Sequence, residues 1–256
     1  MKVLVTRPRG QAEEWVASLR GLGLDAEALP LIEIAPAPDA AAVARAWQEL
    51  SHTDLVVFVS PNAVEQFFAA QPEGVSWPAT TRVASPGPGT DRELARRGLP
   101  AAARVTPPAD AEQFDSEALW QLLRHEDWRG RPVLIVRGTS GRNWLAARFT
   151  EAGAQVRFVS AYERRTPHLD AAGGALLRRA IERPRQHVWI FSSSESIDHL
   201  QTLCEAAGLR PRWPEFLALA THPRIAAAAR RAGIDGVMEC TPAVADVVRS
   251  IQSLAP

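Results

Sequence analysis

Several residue types are scarce in this sequence, and the shortage of cysteine excludes proteins that are held together by disulfide bonds. The 256 residues include one lysine, one tyrosine and two cysteines. Two cysteines in so long a chain do not make a disulfide framework, and the spacing of Cys204 and Cys240 matches no metal-binding motif. We expect both cysteines to be core or boundary residues.

Long apolar runs and excess charge are missing as well. No apolar stretch reaches the roughly 18 residues that a membrane-spanning helix needs, and the amino terminus lacks the apolar region of a signal peptide. We therefore expect a cytoplasmic protein. The 29 basic residues balance the 29 acidic ones, which argues against general binding to nucleic acid or to membrane surfaces, since both attract excess positive charge.

Arginine supplies almost all of the positive charge, because Lys2 is the only lysine. A GC-rich genome would produce this bias without a functional reason. The guanidinium fork also binds carboxylates through two parallel hydrogen bonds. Both explanations can hold together.

The chain contains an internal duplication. Val3–Arg7 aligns with Val133–Arg137 at an offset of 130 residues, and Thr106–Pro107 aligns with Thr241–Pro242 at an offset of 135. Further matching pairs are Leu29–Glu33 with Val159–Glu163, Val57–Val64 with Ile190–Ile197, and Ala95–Gly98 with Arg230–Gly233. So small a drift over so many matches indicates duplication with minor insertions.

Each copy alternates short apolar runs with amphipathic segments. The runs at 55–59 and 188–191 are β-branched or aromatic and end near serine-rich turns, as buried parallel strands do. Apolar residues between the runs recur at helical spacing, for example Trp15, Leu19 and Leu22. Glycines follow these segments where a helix needs a left-handed cap. The pattern predicts an α/β fold with parallel sheets covered by helices on both sides.

Two proline-containing connections, 34–39 and 164–168, occupy equivalent places in the two copies. In one interpretation each copy is a domain and the break lies near residue 128. In the other, the chain leaves the first domain at 34–38, builds the second and returns at 164–168. The prolines favour crossing at both places, but the pattern alone does not decide.

The first strand opens onto a helix through Arg7-Pro8-Arg9-Gly10, where a dinucleotide-binding fold would have a glycine-rich turn. This turn belongs to a series of segments along the chain: Thr6–Pro8, Phe58–Val64, Gly87–Thr90 with Gly98, Val136–Gly138 with Gly141–Arg142, Val159–Arg164, Phe191–Ser193 and Ala232–Gly233. In their joint order and spacing, nearly end to end, these segments resemble the uroporphyrinogen-III synthase family.

The resemblance implies two flavodoxin-like, three-layer α/β domains with parallel sheets, joined by a two-stranded β connection. The first domain would comprise residues 1–34 and 168–256, and the second residues 35–167. The active site of the family lies in the cleft between the domains.

The resemblance also implies a cofactor-independent lyase. Its substrate would be hydroxymethylbilane, a linear tetrapyrrole with eight carboxylates, which loses water, forms a cationic azafulvene and closes through a spiro intermediate to uroporphyrinogen III with ring D inverted. No electrons move, so we expect no redox cofactor, and no metal. We expect a monomer with no nucleic-acid or membrane partner, and a transient contact with hydroxymethylbilane synthase. The alternative is a two-lobed, non-enzymatic module that binds a small anion or a tetrapyrrole.

Tyr162 matches the cleft tyrosine of the family, the candidate catalytic residue that assists departure of the hydroxyl group. Its alternative role is that of a strand-end tyrosine packed over a helix. The predicted substrate-binding residues are Arg7, Ser60, Asn62, Thr90, Arg137, Gly138, Arg142, Ser193, Thr221 and His222. The serines and Asn62 could instead cap helices, Thr90 could belong to a plain turn, and the arginines could be solvated surface residues.

One position departs from the family pattern. Where a threonine is frequent in the second copy of the Gly87–Thr90 turn, this sequence has Ile225. Thr221, His222 or Arg224 could supply the polar contact instead.

Overall fold

Eleven strands and ten helices alternate along residues 1–108, 110–111 and 113–254, which the computed structural model describes. Two compact units contain them: Met1–Glu33 with Arg165–Pro256, and Ile34–Arg164. The chain changes unit twice, within β3 (Glu33–Pro36) and β8 (Gln155–Arg165), and these two strands are neighbours in one sheet. The domain boundaries placed at 34/35 and 167/168 from the sequence stay a prediction.

The first unit contains a five-stranded sheet in the order β11-β10-β9-β1-β2, with every pair parallel. Its strands are β1 (Lys2–Val5), β2 (Ala26–Ala28), β9 (His187–Phe191), β10 (Leu217–Ala220) and β11 (Gly236–Glu239). Its helices are α1 (Arg9–Gly21), α7 (Ala171–Glu182), α8 (Glu195–Ala206), α9 (Pro223–Arg231) and α10 (Val244–Leu254).

Alternating side chains of β1 face two different cores. Val3 and Val5 pack with residues of α1 and α10, whereas Leu4 packs with residues of α7, α8 and α9. Side chains of successive strand residues point to opposite faces, so helices cover both faces of this sheet and the unit has three layers. Leu22, expected on the apolar face of α1, ends the helix and is exposed.

The second unit contains a six-stranded sheet in the order β3-β8-β7-β4-β5-β6. Its remaining strands are β4 (Leu55–Phe58), β5 (Arg82–Ala84), β6 (Arg104–Val105) and β7 (Pro132–Gly138). Its helices are α2 (Ala40–Gln48), α3 (Pro61–Ala69), α4 (Pro88–Arg96), α5 (Ser116–Leu123) and α6 (Trp144–Glu151). Residues of α2, α3 and α4 form one core and residues of α5 and α6 the other.

Both sheets follow the flavodoxin-like strand order 2-1-3-4-5. In the first unit the order is β2-β1-β9-β10-β11, and in the second it is β8-β7-β4-β5-β6. The strands β7 and β8 are the sequence copies of β1 and β2. The second sheet therefore has the same arrangement, but the chain forms its third, fourth and fifth strands (β4, β5 and β6) before its first two. The predicted α/β fold with parallel sheets is therefore confirmed.

Both cysteines avoid the surface. Cys204 is buried and Cys240 is half-buried, and burial raises the pKa of the Cys204 thiol to about 11. In the described ranges no helix is long and apolar enough to cross a bilayer, and no group of three His, Cys, Asp or Glu residues is placed to hold a metal ion.

Candidate active site

The predicted site residues lie at or beside the carboxyl ends of parallel strands, where open α/β sheets bind their ligands. In the second unit they follow β4, β5 and β7 or lie on β7 and β8, and in the first unit they follow β1, β9 and β10. The second unit contains Ser60, Asn62, Thr90, Arg137, Gly138, Arg142 and Tyr162, and the first contains Arg7, Ser193, Thr221 and His222.

Ser60 and Tyr162 form a hydroxyl pair in the second unit. Ser60 is the N-cap of α3, and its Oγ accepts a hydrogen bond from the backbone N–H of Ala63 at 3.2 Å. The same Oγ lies 3.1 Å from the Tyr162 hydroxyl oxygen, and either oxygen can be the donor. Ser60 therefore caps its helix, as the alternative role predicted, and also fixes the hydroxyl of Tyr162.

The ring of Tyr162 is packed against the backbone of a neighbouring strand. Tyr162 is 2% exposed and belongs to the core beneath α2, α3 and α4. It is the register partner of Gly138, next to an irregularity between Arg137 and Gly138. A Cβ atom at Gly138 would lie 3.0 Å from the ring carbons Cε2 and Cζ. Only glycine leaves the ring this space, so Gly138 has a steric role whether or not it also contacts substrate.

Asn62 and Thr90 lie in the first turns of α3 and α4, and they are 7% and 4% exposed. These two turns are close together, since a Cβ atom at Gly89 would lie 3.8 Å from the ring of Pro61. Both helices begin with proline, which suits a first helical position because its missing N–H would have no partner there. The positive dipole ends of both helices favour an anion at this edge.

Arg137 is held by three contacts. Its guanidinium carbon lies 4.3 Å from the centre of the Phe158 ring, and its Nη1 donates to the Asn143 side chain at 2.7 Å and to the Gly141 carbonyl at 3.5 Å. Arg142 differs, because its guanidinium donates to both carboxylate oxygens of Glu117, at 2.6 and 3.0 Å. That pairing raises the pKa of Arg142, and a substrate carboxylate would have to compete with Glu117.

In the first unit, Arg7 leaves β1 and stacks on Trp15 of α1, with 4.3 Å between the guanidinium carbon and the ring centre. Burial lowers the pKa of Arg7. The preceding Thr6 is 1% exposed, and its hydroxyl donates to the Ile190 carbonyl at 2.7 Å. This bond joins the ends of β1 and β9, the two strands that flank the point where the strand order reverses.

The other three residues of the first unit have different local roles. Ser193 precedes the N-cap residue of α8, which is Ser194, so the capping alternative does not apply to it. The backbone N–H of Thr221 donates to the Phe191 carbonyl at 3.1 Å. His222 is the N-cap of α9, and its Nδ1 accepts from the N–H of Arg224 at 3.0 Å.

Ile225, the position that departs from the family pattern, is 7% exposed and belongs to the core beneath α7, α8 and α9. Its counterpart Thr90 is equally enclosed in the second unit. An isoleucine at this position contributes apolar packing, whereas a threonine there would need a partner for its hydroxyl.

Comparisons with known proteins identify the family of this chain. The family model described as Uroporphyrinogen-III synthase HemD matches residues 13–248. The uroporphyrinogen-III synthase of Salmonella typhimurium is 34% identical over 177 residues, which are 69% of this chain and 70% of that protein. The uroporphyrinogen-III synthase of Escherichia coli is 31% identical over 215 residues, which are 83% of this chain and 81% of that protein.

Solved structures share the fold. The uroporphyrinogen-III synthetase of Helicobacter pylori superposes with a TM-score of 0.61 at 16% identity, over 99% of this chain and 100% of that chain. A mutant uroporphyrinogen III synthase of Thermus thermophilus gives 0.59 at 20% identity, over 99% and 98%. Since the family match extends over both units, this chain belongs to the uroporphyrinogen-III synthase family.

Proposed function

We propose that this chain converts hydroxymethylbilane to uroporphyrinogen III, with loss of water and inversion of ring D, and that the strand-end residues described above carry the reaction. The observation that carries the proposal is the family match over residues 13–248. It includes every predicted site residue except Arg7. The non-enzymatic alternative is disfavoured, because the relatives that match are enzymes by name.

The Ser60–Tyr162 pair supports a role in the departure of the hydroxyl group. The Ser60 oxygen already accepts from the Ala63 N–H, so its own proton is available for the Tyr162 oxygen 3.1 Å away. In that arrangement the phenol O–H is not used by Ser60 and can donate to the leaving hydroxyl. Negative charge that develops on the phenol oxygen is then stabilised by the hydrogen bond from Ser60.

The remaining residues bind and shape the substrate. A flexible polyanion is held in one conformation most effectively by fixed positive groups, which lower the entropy cost of reaching the reactive geometry. Arg7 and Arg137 are fixed by their stacking contacts, and the first turns of α3 and α4 present backbone N–H groups. Positioning of this kind favours ring inversion over the unassisted head-to-tail closure.

The proposal is tested by incubating the purified chain with hydroxymethylbilane, oxidising the products and separating the isomers. We expect isomer III to predominate, with isomer I as the background from spontaneous closure. Isomer I alone, at the rate seen without protein, would refute the proposal. The monomeric state and the transient contact with hydroxymethylbilane synthase stay predictions.

A further inference from the structure

Two arginines at equivalent places in the two units have the same local geometry. Arg7 follows β1, and Arg137 is the next-to-last residue of β7, the copy of β1. Each guanidinium carbon lies 4.3 Å from the centre of an aromatic ring, Trp15 for Arg7 and Phe158 for Arg137. The two stacks are therefore alike in partner type and in distance.

The two rings do not occupy equivalent positions in the duplication. Trp15 lies on α1, and at the 130-residue offset its counterpart is Leu145. Phe158 lies on β8, and its counterpart is Ala28. Each unit thus supplies its ring from a different element. A stack that is built from different elements under equivalent arginines is better explained by a requirement on those arginines than by packing common to the two copies.

Both guanidinium groups have a donor that makes no hydrogen bond to the described residues. The Nε atoms of Arg7 and Arg137 are buried without a hydrogen-bond partner among the described residues. Arg104 and Arg148 have the same feature, but their guanidinium groups pair with Asp91 at 3.1 Å and with Glu151 at 2.5 Å. A buried donor without a partner costs free energy, and a carboxylate that accepts from Nε and a terminal nitrogen would remove that cost.

Stacking on a ring does not occupy the N–H groups at the edge of the guanidinium. The ring contacts the face of the planar guanidinium, whereas the N–H groups lie in its plane and stay free for bidentate binding. Phe158 is 45% exposed, so this stack lies at the surface of its unit. On Arg137, Nη1 is already held by Asn143, so Nε and Nη2 are the nitrogens left for a carboxylate, which would reach the buried Nε once the side chains that cover it move aside.

We propose that Trp15 and Phe158 are positioning residues, and that each holds its arginine so that one carboxylate of a polycarboxylate substrate binds side-on to Nε and Nη2. Each unit thereby contains one carboxylate subsite. The inference rests on the proposed function for the identity of the substrate. It goes beyond that function in assigning these two aromatic residues to substrate binding.

Steady-state kinetics with hydroxymethylbilane test the proposal in the full chain. For Trp15→Leu and for Phe158→Leu we expect KM to rise about tenfold with little change in kcat, because the arginine is lost as a fixed anchor. Trp15→Phe and Phe158→Tyr keep a ring and should restore KM. Phe68→Leu is the matched control, since it removes a ring 5.8 Å from Arg97 at the far end of α4 and should leave KM unchanged. Unchanged KM in both leucine variants would overturn the proposal.

A second measurement does not depend on activity. Arginine Nε–H signals in ¹⁵N-correlated NMR spectra, assigned with Arg7→Lys and Arg137→Lys, should shift when uroporphyrin III is added as an octacarboxylate probe. In Trp15→Leu only the response of Arg7 should be lost, and in Phe158→Leu only that of Arg137. Shifts without formation of isomer III would refute the proposed function and support the positioning role. Nε–H signals that do not shift with the probe, in a protein that forms isomer III, would refute the positioning role alone.

Discussion

The hydroxyl oxygens of Ser60 and Tyr162 lie 3.1 Å apart, although the residues are 102 positions apart in the chain. Ser60 follows β4 and Tyr162 lies on β8, and β7 lies between these strands in the sheet. The tyrosine side chain reaches Ser60 by passing over Gly138 of β7, where a Cβ atom would be 3.0 Å from the ring. Three segments must therefore be in register for this pair to form.

Removing the Tyr162 hydroxyl should slow the reaction and leave the fold intact. In Tyr162→Phe the buried ring keeps its packing in the core, while the donor to the leaving hydroxyl is lost. We expect kcat to fall by roughly 100-fold and the thermal midpoint to change little. Rates of isomer III formation and a thermal melt measure both effects. A wild-type rate would remove Tyr162 from the catalytic residues.

Adding a methyl group at Gly138 should displace the Tyr162 ring. Because the added atom would be 3.0 Å from Cε2 and Cζ, Gly138→Ala forces the ring or the strand to move, at a cost of about 1–3 kcal/mol. We expect a lower kcat together with a lower free energy of unfolding, measured by activity and urea titration. Gly174→Ala in α7 is the control, since no atom lies within 4 Å of its added Cβ. An active, stable Gly138→Ala variant would contradict the close packing.

The ion pair between Arg142 and Glu117 allows a test of whether Arg142 binds substrate. Glu117→Gln removes the negative charge that occupies the guanidinium and should lower KM several-fold if Arg142 contacts a substrate carboxylate. Both side chains are more than a third exposed, and pairs of this kind contribute only about 0–1 kcal/mol, so stability should barely change. An unaltered KM would show that Arg142 forms a surface ion pair with Glu117 and does not bind substrate.

The periodic features of the fold were predictable from the sequence because they depend on local chemistry. Gly98 and Gly233, equivalent in the duplication, end α4 and α9 with φ angles of 82° and 93°, which only glycine adopts without strain. The alternation of apolar runs with amphipathic segments predicted parallel sheets, since parallel strands need crossover connections and these are usually helices.

Contacts that depend on register and side-chain direction were not predictable in the same way. The sequence does not indicate that Trp15 or Phe158 lies beneath an arginine. The spacing of residues along a helix or strand shows which side chains share a face, but not which loop packs on that face. Ser193 resembled an N-cap, yet α8 begins one residue later than that role requires. The family pattern presents Ile225 as the loss of a polar contact, whereas the fold places its side chain in the core.

His187 should make stability depend on pH. It is 3% exposed on β9, and its Nδ1 lies 2.9 Å from the Arg183 carbonyl, to which it donates. Burial lowers its pKa below the usual value, and the nearby charges of Arg179 and Lys2 lower it further, while the Arg183 carbonyl and Glu27 oppose them. The folded state therefore prefers a neutral imidazole.

The direction of the effect follows from proton binding. Between the lowered pKa of the folded state and the unfolded value of about 6.5, the unfolded chain binds more protons, so the free energy of unfolding falls as the pH drops through this window. Each pH unit within it costs at most about 1.4 kcal/mol. Urea titrations from pH 8 to 5.5 should show this slope in the wild type and a shallower one in His187→Asn, which keeps a donor for Arg183. His125→Asn, at an exposed histidine, should keep the wild-type slope, and parallel curves for all three proteins would show that His187 does not set the pH dependence.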